Sequence, residues 1–209
     1  MRPSCDLQVG WELGHIGIVD DLTVSTDLFH YDEVMSTQAR NTLAAAEKLD
    51  IPTGTIICEV PEGAPGYPAQ AAGEAAESGP IMFKGRAAVK LVEGVARRPW
   101  RQFDECPHET LGDPVRVHGD HLGHLHLCQG LTMGSMFEQP LVELVAEYNP
   151  QAHPIVGPLL ADGPAALVER YGLPHEEAYV DACHLCYEAR VALRQRFKFW
   201  ARDRCMERD

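Results

Sequence analysis

The apolar positions change their period along the chain, and each change predicts an element. Ile16, Ile18, Val19, Leu22 and Val24 lead into a run that turns polar at Ser25 and Asp27, so Leu22 to Asp27 reads as a short buried strand. Ala39, Leu43, Ala46 and Leu49 then recur at intervals of three or four, which predicts a helix over 35–49 capped by Ser36 or Thr37. Asp50 to Gly54 breaks it, and the β-branched run from Thr55 to Val60 predicts a second strand. Strand, helix and strand within about 40 residues form a βαβ unit, which calls for a parallel pair with a right-handed crossover.

Residues 61–80 are rich in Pro, Gly, Ala and Glu and read as loop, with at most a helical turn near 69–76. Ala87 to Val95 fits a short helix, and Trp100 to Glu109 has no period. Val115 to His118 and Leu125 to Cys128 look like two strands. Gly119-Asp120-His121-Leu122-Gly123 between them is turn chemistry, so a small hairpin is expected. Glu138 to Tyr148 puts Leu141, Leu144 and Val145 on one helical face and stops at Asn149-Pro150. Pro164 at a first helical position and Gly172 just past a last one frame a helix over 163–171. A final helix is expected from Asp181 to Arg202, with Cys186, Ala189, Leu193, Phe197 and Trp200 in one apolar line.

Composition narrows the classes. A chain of 209 residues with a 45% hydrophobic fraction can bury a real core. A formal charge of −13 argues against nucleic acid, whose phosphates call for a basic footprint. No apolar run approaches the roughly 20 residues of a membrane span, and Met1 to Asp6 show no export signal. Seven cysteines is an odd number for a disulfide framework without such a signal. Reduced thiols, and hence a cytoplasmic location, are the stronger reading.

The candidate chemistry lies between Cys106 and Cys186. Cys183 and Cys186 stand at i and i+3 in the first turn of the final helix, so their sulfurs project from one side. The helix start favours thiolate over thiol. Zinc or an iron–sulfur cluster needs two more ligands, and Cys128, ending a strand, and Cys106, before a proline, are the candidates. The plainer alternative is that Cys183 and Cys186 continue a core stripe. Cys5, Cys58 and Cys205 read as bystanders. His118, His121, His124 and His126 are a second candidate set, able to hold zinc with Cys128. Their split between turn and strands argues against convergence. Ser25, Asp27 and His30, at a strand end, suit contact with a polar small ligand, or plain loop polarity. Gly63-Ala64-Pro65-Gly66 places proline where a phosphate loop needs N–H donors, and no Lys-Ser/Thr follows.

The stretch Leu22 to His30 resembles a strand and loop of radical S-adenosylmethionine proteins. Gly85-Arg86-Ala87, Cys106-Pro107, the run from His118 to Gly130 and Asp181 to Tyr187 are similar to the C-terminal half of those proteins. There a barrel is followed by a cysteine-bearing SPASM or twitch module that holds an auxiliary iron–sulfur cluster. The resemblance spans about residues 15–195. It implies an α/β fold: a partial parallel (β/α) barrel over 1–100, then a cysteine-rich extension of β-hairpin and helices over 101–209. It also implies that Cys106, Cys128, Cys183 and Cys186 hold a 4Fe–4S cluster, and that Ser25 and Asp27 lie near S-adenosylmethionine in a complete barrel. The CxxxCxxC loop that opens such barrels has no counterpart, since Cys5 stands alone and Cys58 comes next. The resemblance therefore implies a chain that does not cleave S-adenosylmethionine by itself, as a fragment, a truncated product or a half that needs a partner. Two other outcomes stay open: a structural four-cysteine zinc site in a non-enzymatic module, and cysteines that are simply core. An exposed barrel edge would invite self-association or a partner chain.

Overall fold

Strands β1 (Leu22–Ser25) and β2 (Thr53–Glu59) pair in parallel, with Leu22 opposite Thr53 and Ser25 opposite Ile56. This computed structural model describes residues 19–26, 36–59, 61–62 and 77–198. Helix α1 (Thr37–Lys48) joins the two strands in sequence, completing the expected strand–helix–strand unit. Ser36 sets its start: the hydroxyl oxygen accepts from the Ala39 N–H at 3.1 Å, satisfying one of the first-turn donors that have no partner within the helix. Ala39 and Ala46 are its buried residues, while Leu49 is exposed. Asp50 leaves the helix at φ 55°, a left-handed conformation that a short polar side chain tolerates.

A third strand departs from the loop expected over 61–80. Strand β3 (Glu77–Pro80) pairs in parallel with β2, Ile56 opposite Glu77 and Glu59 opposite Pro80. Glu-Ser-Gly-Pro has no β-branched or aromatic residue, so its strand character comes from its neighbour and not from its own pattern. Pro80 lacks an N–H, which an edge strand accommodates. The sheet runs in the order β1-β2-β3 and, among the described residues, does not close into a barrel.

The fold is mixed α/β, in two compact units: residues 1–61 with 66–81, and residues 62–65 with 82–209. The second unit opens with α2 (Arg86–Lys90), shorter than expected, after Gly85 at φ 59°. Strand β4 (Arg98–Pro99) and a 3-10 turn over Trp100–Gln102 follow. Next comes an antiparallel sheet of β5 (His118–Gly119), β6 (His124–Cys128) and β7 (Leu131–Ser135). The expected hairpin is its first half, with His118 opposite His126. Gly123, at φ 76°, turns the chain between β5 and β6, and Gly130, at φ 74°, between β6 and β7.

Three helices pack in the same unit. In α3 (Leu141–Glu147) only Leu144 is buried; Leu141 and Val145 are 47% and 55% exposed, so the expected three-residue face is a single anchor. Helix α4 (Val156–Tyr171) begins earlier than the sequence suggests and is broken at Asp162 and Gly163. The predicted start at Gly163-Pro164 is the start of its second half, and Gly172 closes it in the left-handed conformation. Strand β8 (Ala178–Tyr179) pairs antiparallel with β4, and α5 (Ala182–Leu193) follows; Trp200 lies outside the described residues.

Leu125, Leu127, Leu131, Ile155, Val156, Leu167 and Leu193 form the main core of this unit, and Cys106, Cys128 and Cys186 pack against it. Full burial of each such aliphatic side chain stabilises by roughly 1.5–3 kcal/mol. His153 orients α4 on that core. Its Nδ1 accepts from the Ile155 and Val156 N–H groups, both at 3.1 Å, and its Nε2 donates to the Thr132 carbonyl at 3.2 Å. Among the described residues, no helix is long and apolar enough to cross a membrane.

Candidate metal centre

Asp181 fixes the backbone on one side of the site. One carboxylate oxygen accepts from the His184 N–H at 2.7 Å and caps α5, which places Cys183 and Cys186 in its first turn. The other accepts from the Phe83 N–H at 3.4 Å and ties down the segment that leads to Lys84. Lys84 Nζ in turn donates to Cys128 Sγ at 3.7 Å. Arg190, buried one turn beyond Cys186, donates to the Gln129 carbonyl at 2.6 Å and fastens the end of β6 to α5.

Cys106 arrives from the other side. A Cβ on Gly163 would lie 2.3 Å from both the Asp104 carbonyl carbon and the Glu105 nitrogen, so the break in α4 is where two backbones touch. The Ala165 N–H donates to the Phe103 carbonyl at 3.1 Å beside that contact. Glycine here is a packing requirement, and it fixes the segment that carries Cys106.

These contacts bring Cys106, Cys128, Cys183 and Cys186 to the wall of one pocket, which Lys84 and Arg190 also line. All four are half-buried free thiols. The expected thiolate character at the helix start is reversed. Burial pushes the Cys186 thiol up to about 11, with Cys128 and Cys106 adding to the rise and Arg190 opposing it. Burial pushes Cys183 up as well, helped by Asp181 and by the neighbouring thiols, with Lys84 opposing. The helix dipole is outweighed chiefly because burial strips water from the sulfurs, with neighbouring thiols adding a smaller penalty.

A second cluster stands on the hairpin. His124 and His126 alternate on β6, so both rings fall on the same face, and both are buried. Asp120, in the turn before them, accepts from the Leu122 and His124 N–H groups at 2.9 Å through one oxygen. Its other oxygen faces His124 Nδ1 and His126 Nε2, each at 3.1 Å. Burial works against the charge, but these hydrogen bonds hold the Asp120 carboxyl well below the usual carboxylate range. Two of the four histidines thus do converge, contrary to expectation, while His118 and His121 are exposed. The missed residue is Asp120, taken for turn chemistry; the legible signal was His-x-His on a strand, one turn after an aspartate.

Among the described residues, Asp120, His124 and His126 are the only trio whose ligand atoms lie within 4.8 Å of one another, so no three of the four sulfurs are that close. Ser25 ends β1, half-buried, in the other unit, where Cys58 is also half-buried on β2; Asp27 and His30 lie outside the described residues. Compared with known protein families, curated proteins and solved structures, the chain matches none.

Proposed function

We propose that the chain binds an iron–sulfur cluster through Cys106, Cys128, Cys183 and Cys186, as an auxiliary 4Fe–4S centre of a radical S-adenosylmethionine-type protein. One observation carries the reading: four cysteines from three separate stretches of chain meet at one pocket that two cationic side chains also line. Such a group supplies one-electron transfer or a fixed iron for positioning a substrate. The protein's part is to hold four thiolates, exclude water with the Leu159 and Pro164 wall, and offset charge with Lys84 and Arg190. A single tetrahedral zinc needs its sulfurs about 3.8 Å apart. Among the described residues no three of these sulfurs lie within 4.8 Å of one another, so they would have to draw together to hold a single zinc.

The three-stranded parallel sheet of the first unit is read as part of a (β/α) barrel, with Ser25 and Asp27 facing S-adenosylmethionine once that barrel is complete. Without a CxxxCxxC loop this chain contributes no S-adenosylmethionine cleavage of its own. Anaerobic reconstitution followed by iron and acid-labile sulfide analysis tests the assignment. Equal iron and sulfide, lost on Cys183→Ser, is the expected result. One zinc per chain without sulfide replaces the cluster by a structural ion, and a chain that takes up neither removes the metal altogether.

A further inference from the structure

The Asp120, His124 and His126 cluster takes no part in that reading, and its geometry has a chemistry of its own. A carboxylate and two imidazoles are the donor set that borderline divalent metals prefer. With metal–nitrogen and metal–oxygen bonds near 2.0–2.2 Å, neighbouring donors on one ion lie about 2.9 to 3.4 Å apart, from octahedral to tetrahedral angles. Both nitrogen-to-oxygen separations here are 3.1 Å, inside that window. The two nitrogens lie within 4.8 Å of each other, so the three donors are gathered at one point of the hairpin.

Each donor is also aimed. The backbone N–H groups of Leu122 and His124 hold one Asp120 oxygen, which turns the other toward the two imidazoles. His126 Nδ1, on the far side of its ring, is buried without a hydrogen-bond partner, and the ring is held by its Nε2 contact and by an edge-on contact with the His124 ring, centroids 6.2 Å apart. His118 stands directly across the strands from His126 and is exposed. Cross-strand partners share a face with Cβ atoms about 5 Å apart, so its imidazole is placed to join from the solvent side.

We propose that Asp120, His124 and His126 form a mononuclear site for a divalent transition-metal ion such as zinc or ferrous iron, open toward His118. The three protein ligands leave coordination positions for water or for an oxygen or nitrogen ligand of a substrate. Structural ions normally have all four positions filled by protein, whereas three ligands with an open side are the arrangement of reactive or ligand-exchanging metals. Strand β6 carries both His126 and, two residues on, Cys128, so one strand connects this site with the cysteine pocket.

Cobalt(II) titration of the full chain tests the site and separates it from the cysteines. Cobalt held by nitrogen and oxygen gives weak visible bands, whereas thiolate ligation adds intense near-ultraviolet charge transfer. The expected result is one cobalt per chain without charge transfer, displaced by zinc and retained in Cys183→Ser. His124→Ala and His126→Ala should each weaken it by at least the roughly 10–100-fold that losing a mere orienting partner costs. Should either variant fail to fold, Asp120→Asn, which keeps the shape and a hydrogen-bond acceptor, must abolish the zinc-induced rise in Tm expected of the Cys183→Ser chain. Absence of any cobalt signal lacking charge transfer overturns the proposal, as does a signal unchanged in the folded variants, or a Cys183→Ser chain whose Tm does not respond to zinc.

Discussion

Gly163→Ala isolates the contact that places Cys106. Gly163 sits at φ 58° and ψ −158°, a region essentially closed to residues with a side chain. Forcing alanine there costs roughly 1–3 kcal/mol in strain alone. The new methyl would also stand 2.3 Å from Asp104 and Glu105 backbone atoms and 2.7 Å from the Asp104 oxygen. Those are main-chain atoms, so no rotamer change relieves the clash, and overpacking adds roughly 1–3 kcal/mol. The sum, about 2–6 kcal/mol, is a large part of the 5–15 kcal/mol typical of a folded domain. Gly172→Ala is the matched control, since Gly172 has a similar φ of 58° but nothing within 4 Å of its would-be Cβ. It should lose only the roughly 1–2 kcal/mol of left-handed strain. Urea unfolding followed by circular dichroism measures both, and iron content after reconstitution reports whether the Cys106 segment has shifted. Equal destabilisation by the two substitutions, or a Gly163→Ala protein with full stability and full iron uptake, would refute the packing argument.

His153→Ala removes the acceptor for two N–H groups and the donor to Thr132, and should cost roughly 2–4 kcal/mol in urea unfolding; less than 1 kcal/mol would mean water replaces the ring. Burial holds the pKa of His153 below the ordinary 6.5, so the unfolded chain takes up its proton first. That contribution is complete above pH 6.5 and declines as pH falls below it, so the wild-type midpoint should drop on acidification more steeply than that of His153→Ala. Cys183→Ala with Cys186→Ala should cost roughly 1–2 kcal/mol per site in metal-free protein, as ordinary packing losses. After reconstitution the gap should widen, because only the unsubstituted protein gains stability from a cluster, and an unchanged gap would show that nothing is bound. Size-exclusion chromatography should show self-association through the edges of β1 or β3; a clean monomer at all concentrations would count against an open sheet edge.

Local signals were legible where the side chains themselves decide the conformation. Ser36 announced the start of α1, Gly172 the end of α4, and the β-branched run Thr55 to Ile57 announced β2, because caps and χ1 stiffness act within a few residues. β3 was illegible for the opposite reason: Glu-Ser-Gly-Pro becomes a strand only through pairing with β2. The early start of α4 was hidden because Gly163-Pro164 looks like a beginning, while the first half is held by a histidine side chain outside the helix. At the cysteine pocket the residues were legible and the electrostatics were not. The dipole at a helix start can be read from sequence, but the burial that pushes both thiols up depends on what folding packs over them. Asp120 shows the same limit, since a turn aspartate becomes a metal-ligand candidate only when two rings face it.

Lys84 and Arg190 tie occupancy of the cysteine pocket to its charge. With protonated thiols, both cations face neutral sulfur, and Glu109 is the one carboxylate among the residues that line the pocket with them. Were a cluster bound there, the four cysteines would give up their protons, and the oxidised cluster with its thiolates would carry a net charge of about −2. Lys84 and Arg190 would offset most of that charge, so a further electron would be left without a fixed cation and would have to draw its counter-charge from solvent.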